Sequence, residues 1–138
     1  MSDTIFGKII AGEIPSEFIY EDDHCVAIND IAPQAPVHVL VIPKKAIPRL
    51  VDAQEHDQDL LGHLLLAAGK VAEQLGVQDA FRLIINNGEG AGQTVFHLHL
   101  HIIAGTTFAE GRMAGWSSPT IETDYEDRRD TRSLPGLL

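Results

Sequence analysis

His97-Leu98-His99-Leu100-His101-Ile102-Ile103 places three histidines at strict alternation inside an apolar run. Side chains of a strand alternate between its two faces, so this spacing predicts three imidazoles on one face and the leucines on the other. On a helix His99 would point about 200° away from its two neighbours, and the rings could not converge. Val95 and Phe96 before the run and Gly105 after it also suit a strand. A strand face lined by three ionisable rings is an expensive surface for a core, which points to chemistry on that face.

Upstream of the run lies Gly88-Glu89-Gly90-Ala91-Gly92, and before it Ala80–Asn86 is predicted as a strand. The glycine-rich loop has no following Gly-Lys-Ser/Thr, so it is not a Walker loop. The strongest helix expectation covers residues 52–75. Asp52 and Glu55 resemble a capping box, Leu60, Leu64, Ala68, Val71 and Leu75 form one stripe, and Gly76 closes the helix. Val37–Ile42 reads as a buried strand stopped by Pro43, and a hairpin is expected from Glu17–Tyr20 and His24–Ile28 around Glu21-Asp22-Asp23. Ile5–Ile10 has helical spacing, with Ser2, Asp3 or Thr4 available as a cap and Gly12 and Pro15 beyond its end. Short links between the strands imply antiparallel pairing, so the fold class expected is α+β, a sheet with one main helix.

With 138 residues the chain suits one domain, and its 44% hydrophobic content is ordinary for a globular protein. A formal charge of −10 argues against nucleic acid or an anionic membrane surface as partner. A small phosphorylated ligand remains compatible, because a pocket's field differs from the net charge. Cys25 is the lone cysteine, which excludes an internal disulfide. The first residues lack the pattern of a signal peptide, and no apolar run reaches about 18 residues, so a cytoplasmic protein is expected. Apolar periodicity fades after Trp116, which divides the chain into a domain over residues 1–116 and a C-terminal tail over 117–138.

The residues alone leave three readings of the histidines: rings bonded in a core, a zinc site completed by a residue such as His38, or metal-free nucleophilic and acid–base catalysis. Lys44 and Lys45 read as a solvated strand end, His24, His56 and His63 as surface or helix residues, and Cys25 as a small buried hydrophobe.

The stretch Gly92-Gln93-Thr94-Val95-Phe96-His97-Leu98-His99-Leu100-His101-Ile102-Ile103 resembles the signature of the histidine-triad (HIT) family. Thr4–Ile10, Asp30–Pro36 and His38–Lys45 are similar to its Hint branch, the purine nucleoside phosphoramidases. The resemblance covers about residues 4–105. It implies a HIT-like fold with a five-stranded antiparallel sheet, one long helix and a short N-terminal helix, in a homodimer joined through helix 52–75 and strand 80–86. It also implies hydrolysis of the P–N bond of purine nucleoside 5′-phosphoramidates, with no cofactor and no metal.

By matching positions, His99 is the nucleophile that becomes nucleotidylated and His101 contacts phosphate and helps protonate the leaving group. His97 and His38 hold the network, and the Thr94 hydroxyl meets the departing group. Asn86 and the N–H groups at Gly92 and Gln93 receive phosphate oxygens, Asp30 receives the ribose, and Ile5, Phe6, Ile9, Ile28 and Ile31 clamp the purine. Read without the family, these apolar residues are core and Asp30 caps a turn. Alternatives are a dinucleoside polyphosphate hydrolase of the sister branch, a zinc-dependent hydrolase, and a dimeric nucleotide-binding adaptor with vestigial catalysis. The sequence departs from the branch at Ala46 and after Gly105, where Thr106–Arg112 and Trp116 replace a Gly-Gly-Arg turn.

Overall fold

The computed structural model describes residues 3–114, so the expected tail 117–138 and Trp116 lie outside the described residues. The first unit ends at Thr106. Its elements are α1 (Ile5–Ile10), β1 (Tyr20–Glu21), β2 (Cys25–Asn29), β3 (Val37–Pro43), α2 (Gln58–Gln74), β4 (Phe81–Ile84) and β5 (Leu100–Ala104). Residues 107–114 belong to a second unit, whose element among the described residues is a 3-10 turn at Glu110–Arg112.

All five strands pair antiparallel, in the spatial order β1-β2-β3-β5-β4. The protein therefore has the expected five-stranded sheet with one long helix. One face carries Cys25, Ala27, Val39, Val41, Leu100 and Ile102, and α2 closes over it with Leu64, Ala67, Ala68 and Val71. The three small or β-branched residues let the helix lie close to the strands, and burying each larger aliphatic side chain contributes about 2 kcal/mol. The other face carries Val26, Ile28, Leu40 and Ile42, against which α1 packs Phe6 and Ile9. The short α1 is capped by Thr4, whose Oγ1 accepts the Gly7 N–H at 3.1 Å. It covers only part of that face.

Three expectations need correction. The long helix begins at Gln58, not Asp52. Ahead of it, two 3-10 turns at Leu50–Asp52 and Glu55–Asp57 are each closed by an aspartate that reaches back to a backbone N–H, Asp52 to Arg49 and Asp57 to Gln54. Extended Ala53 separates them, so the carboxylates cap turns rather than the helix. The second correction concerns strand bounds: strand 80–86 shrinks to Phe81–Ile84, and the first hairpin is shifted to Tyr20–Glu21 and Cys25–Asn29.

The third correction touches the histidines. Only His101 lies inside β5, while His97 and His99 precede it. Pairing of β3 with β5 stops at Val41 opposite Leu100. Two residues further along, Pro43 has no N–H to donate, and its carbonyl is taken at 2.7 Å by Nε2 of His97. Leu98 instead donates its N–H to the Ile47 carbonyl. The alternation nevertheless persists, with Leu98, Leu100 and Ile102 buried on the α2 side.

Opposite the site, Asp22 ties the first hairpin to α2. Its Oδ1 accepts the N–H groups of His24 and Cys25 at 2.8 and 2.9 Å, and Oδ2 accepts Tyr20 Oη at 2.9 Å and His63 Nε2 at 2.7 Å. Burial alone would raise this carboxyl, but the bonds from His24, His63, Tyr20 and Cys25 outweigh it and hold it well below the usual carboxylate range. A depressed carboxyl stabilises the fold above its unfolded pKa of about 3.9 and loses that contribution as pH falls toward the folded value. Asp22→Ala should cost about 2–3 kcal/mol at neutral pH by stranding those donors, and should flatten the loss of stability below about pH 4. Denaturant unfolding of both proteins at neutral and acid pH checks this.

Gly105 follows β5 at φ +86°, and a Cβ there would stand 2.9 Å from Cβ of Pro36. Gly105→Ala is expected to destabilise by about 1–3 kcal/mol through strain and overlap, read as a lowered Tm.

Candidate active site

The open part of the α1 face gathers the imidazoles. Residues 38, 40 and 42 of β3 share that face, and Leu40 pairs directly with His101, so His38 meets His101 diagonally across the two strands. Their rings are 5.2 Å apart, and those of His99 and His101 are 4.9 Å apart. Phe6 stands edge-on to both remaining rings, at 4.9 Å from His99 and 6.4 Å from His97.

Backbone groups fix the tautomers. A carbonyl oxygen can only accept, so the 2.8 Å bond between His99 Nδ1 and its neighbour's carbonyl at His97 places the proton on Nδ1. Neutral His99 therefore carries its lone pair on Nε2. By the same logic His97 donates from Nε2 to Pro43. Its Nδ1 is the one buried side-chain nitrogen or oxygen without a partner among the described residues.

The other two rings form a directed chain. The Gln34 N–H donates to Nδ1 of His38 at 2.9 Å. His38 then holds its proton on Nε2 and donates at 2.9 Å to Nδ1 of His101. His101 is left with its proton on Nε2, the far edge of the ring. Asp30 Oδ2 lies 3.4 Å from Nε2 of His38, while its Oδ1 caps the following turn by accepting the Ala32 N–H at 2.8 Å.

Burial lowers the proton affinity of all three triad rings. For His97 and His99 it outweighs their carbonyl bonds. For His101, burial together with the neighbouring His99 and His38 pushes the pKa down to about 4. Near neutrality the three triad rings are thus uncharged, with defined donors and lone pairs. Asp30, His38 and His101 offer atoms within 4.8 Å of one another, which could hold a metal. His38 and His101 are joined at 2.9 Å in the proton chain that starts at the Gln34 amide. The pair has the spacing of a shared proton.

The remaining sequence candidates divide. Phe6, Ile9 and Ile28 are buried in the cluster beneath the rings, while Ile5 is partly exposed and Ile31 almost fully so. Asn86 is half-buried two residues past Ile84, which pairs with His101. Thr94 is exposed. The Gly92 and Gln93 amides expected to meet phosphate are instead bonded within the loop, to the carbonyls of Glu89 and Gly88. The buried Gln93 side chain is engaged too, accepting from Gly88 and donating to Pro48 and Val95. A 3-10 turn with Gly92 at φ +96° draws those groups inward. The Gln34 amide and the Pro43 carbonyl escaped sequence reasoning because they are main-chain groups. Pro33 and Pro36 around the first, and Pro43 itself, were the available signals.

The HIT domain profile matches residues 11–108. An uncharacterized HIT-like protein of Synechocystis is 62% identical over 107 residues, 78% of this chain and 94% of its own. Among solved structures, a HIT family hydrolase from Legionella pneumophila is 40% identical with a TM-score of 0.76, covering 78% of this chain and 97% of its own. A histidine triad protein from Clostridium difficile is 44% identical with a TM-score of 0.75, covering 80% and 96%. Their shared fold and the convergent rings agree: the chain belongs to the HIT domain family.

Proposed function

We propose that the protein hydrolyses the P–N bond of purine nucleoside 5′-phosphoramidates, adenosine monophosphoramidate or adenylylated amines, through a nucleotidyl-His99 intermediate. The observation that carries this reading is the His99 tautomer, a buried neutral ring with Nδ1 bonded to the His97 carbonyl and Nε2 holding the lone pair. Likeness to a HIT family hydrolase supports hydrolysis as the reaction class.

In the first step Nε2 of His99 attacks the α-phosphorus, the bond to nitrogen breaks, and the departing amine takes a proton from Nε2 of His101. The anionic phosphate first draws one further proton from solvent onto the His38–His101 pair, opposing the effect of burial, so that His101 is neutral once it has given up its Nε2 proton. In the second step water attacks phosphorus and the bond to His99 breaks. Hydroxide goes to the nucleoside monophosphate, and the proton returns to His101. His38 orients His101 through their 2.9 Å bond, and His97 holds the main chain beside the nucleophile. Asp30 receives the ribose, and Phe6, Ile5, Ile9, Ile28 and Ile31 flank the base. Thr94 and Asn86 serve the leaving group and phosphate. Gly92 and Gln93, whose amides are bonded internally, contribute through the shape of the loop.

The working form proposed is a cytoplasmic homodimer. β4 ends the sheet, and Leu65 and Leu66 of α2 are exposed apolar residues suited to a self-complementary interface. No helix among the described residues is long and apolar enough to cross a membrane.

His99→Ala should reduce turnover of a fluorogenic adenosine phosphoramidate by about 10⁴-fold or more while nucleotide affinity stays near that of the parent. Chelator should leave the parent's rate unchanged. Faster hydrolysis of a diadenosine polyphosphate than of the phosphoramidate would overturn the P–N assignment, and bound nucleotide without turnover would favour the adaptor reading.

Because burial lowers the pKa of His99, the nucleophile stays unprotonated below the ordinary imidazole value of about 6.5. The acid limb of kcat/KM should therefore fall below pH ~6.5. A limb at or above that value would contradict the assignment.

A further inference from the structure

On the α2 side of the sheet, three donors of different kinds converge where no part of the proposed reaction reaches. They are Oδ2 of Asp22, Sγ of Cys25 and Nε2 of His63, all within 4.8 Å of one another. Asp22 comes from the turn between β1 and β2, Cys25 opens β2, and His63 lies on α2. We propose that Asp22, Cys25 and His63 form a second site, one that binds a thiophilic divalent cation of the zinc class.

Three features support it. The first is spacing. Sulfur and oxygen ligands on one tetrahedral zinc stand about 3.6 Å apart, and Sγ of Cys25 is 3.7 Å from Oδ2 of Asp22. The His63 nitrogen, at 2.7 Å from the same oxygen, must retreat by about 0.6 Å when the proton between them gives way to an ion.

The second is preorganisation. Two backbone N–H groups hold Oδ1 of Asp22, so the other oxygen is aimed at the cluster, as outer bonds orient metal ligands elsewhere. Tyr20, Cys25 and His63 all present protons to that single oxygen. Replacing two of these protons by one cation relieves a crowded acceptor.

The third is charge and softness. One carboxylate, one thiolate and one neutral imidazole balance a dication, which suits a half-buried position, and a thiolate ligand selects zinc or cobalt over magnesium or calcium. Asp22 and His63 stay partly exposed and give the ion a way in, while fully buried Cys25 closes the floor. On binding, the S–H bond breaks, a metal–sulfur bond forms and that proton goes to solvent, while His63 gives up its Nε2 proton to solvent and takes one on Nδ1, so that the ring binds the ion neutral. His24 stands edge-on to His63 beside the cluster, at 4.9 Å between ring centres.

Cobalt titration tests the proposal, because a thiolate-to-cobalt charge-transfer band reports sulfur directly and Cys25 is the lone cysteine. The unmodified full chain should show that band at one equivalent, with tetrahedral visible bands. His63→Gln should weaken binding at least tenfold, Cys25→Ser should abolish the band, and His101→Ala should leave it unchanged. A folded, unmodified protein without the band overturns the site whatever the variants do. So does a band that forms with the parent's affinity in His63→Gln, or one lost in His101→Ala, which would move the ion to the triad.

Discussion

Imidazole-to-carbonyl hydrogen bonding is the constraint on which the rest of this structure depends. Pro43 ends the main-chain ladder between β3 and β5, and the side chain of His97 takes the carbonyl that a strand amide would otherwise occupy. The carbonyl of His97 in turn takes the proton of His99. A break in the sheet is thereby converted into two fixed rings. Because the partners are backbone atoms, the tautomers are set by the chain path rather than by another titratable group, which leaves the lone pair of neutral His99 on Nε2.

The second pair obeys a different logic. His38 and His101 share a proton between side chains, with the Gln34 amide at one end of the chain and the outward nitrogen of His101 at the other. Burial, with His99 and His38 beside it, pushes the pKa of His101 down to about 4. The same desolvation that disfavours charge in the free protein strengthens the field of whatever charge the ligand brings. Asp30 touches both worlds, capping its own turn with one oxygen and facing His38 with the other.

Much of this was legible in the sequence. The two-residue period of the histidine run predicted which side chains part to which side, and the stripe through Leu64, Ala68 and Val71 predicted the face α2 buries. The ends of elements were less legible. Asp52 sits in a perfectly plausible helix-capping context, yet its carboxylate closes a separate turn and binds Arg49 as well. Choosing between two local bonding solutions requires knowing the tertiary contacts. Loop groups were least legible: Gly92 and Gln93 resembled phosphate donors by position, but whether an amide is free depends on the turn around it. The Asp22–His63 contact spans 41 residues and left no periodic trace in the sequence.

The sheet's two faces carry unequal burdens. On one, α2 seals a continuous aliphatic layer; on the other, short α1 covers a smaller patch and leaves polar rings at its border. Folding is therefore underwritten mainly by the aliphatic layer beneath α2. Side chains around the rings are correspondingly freer to diverge, so that one scaffold can acquire new leaving-group preferences by drift on its thinly covered side while its thickly covered side keeps it folded.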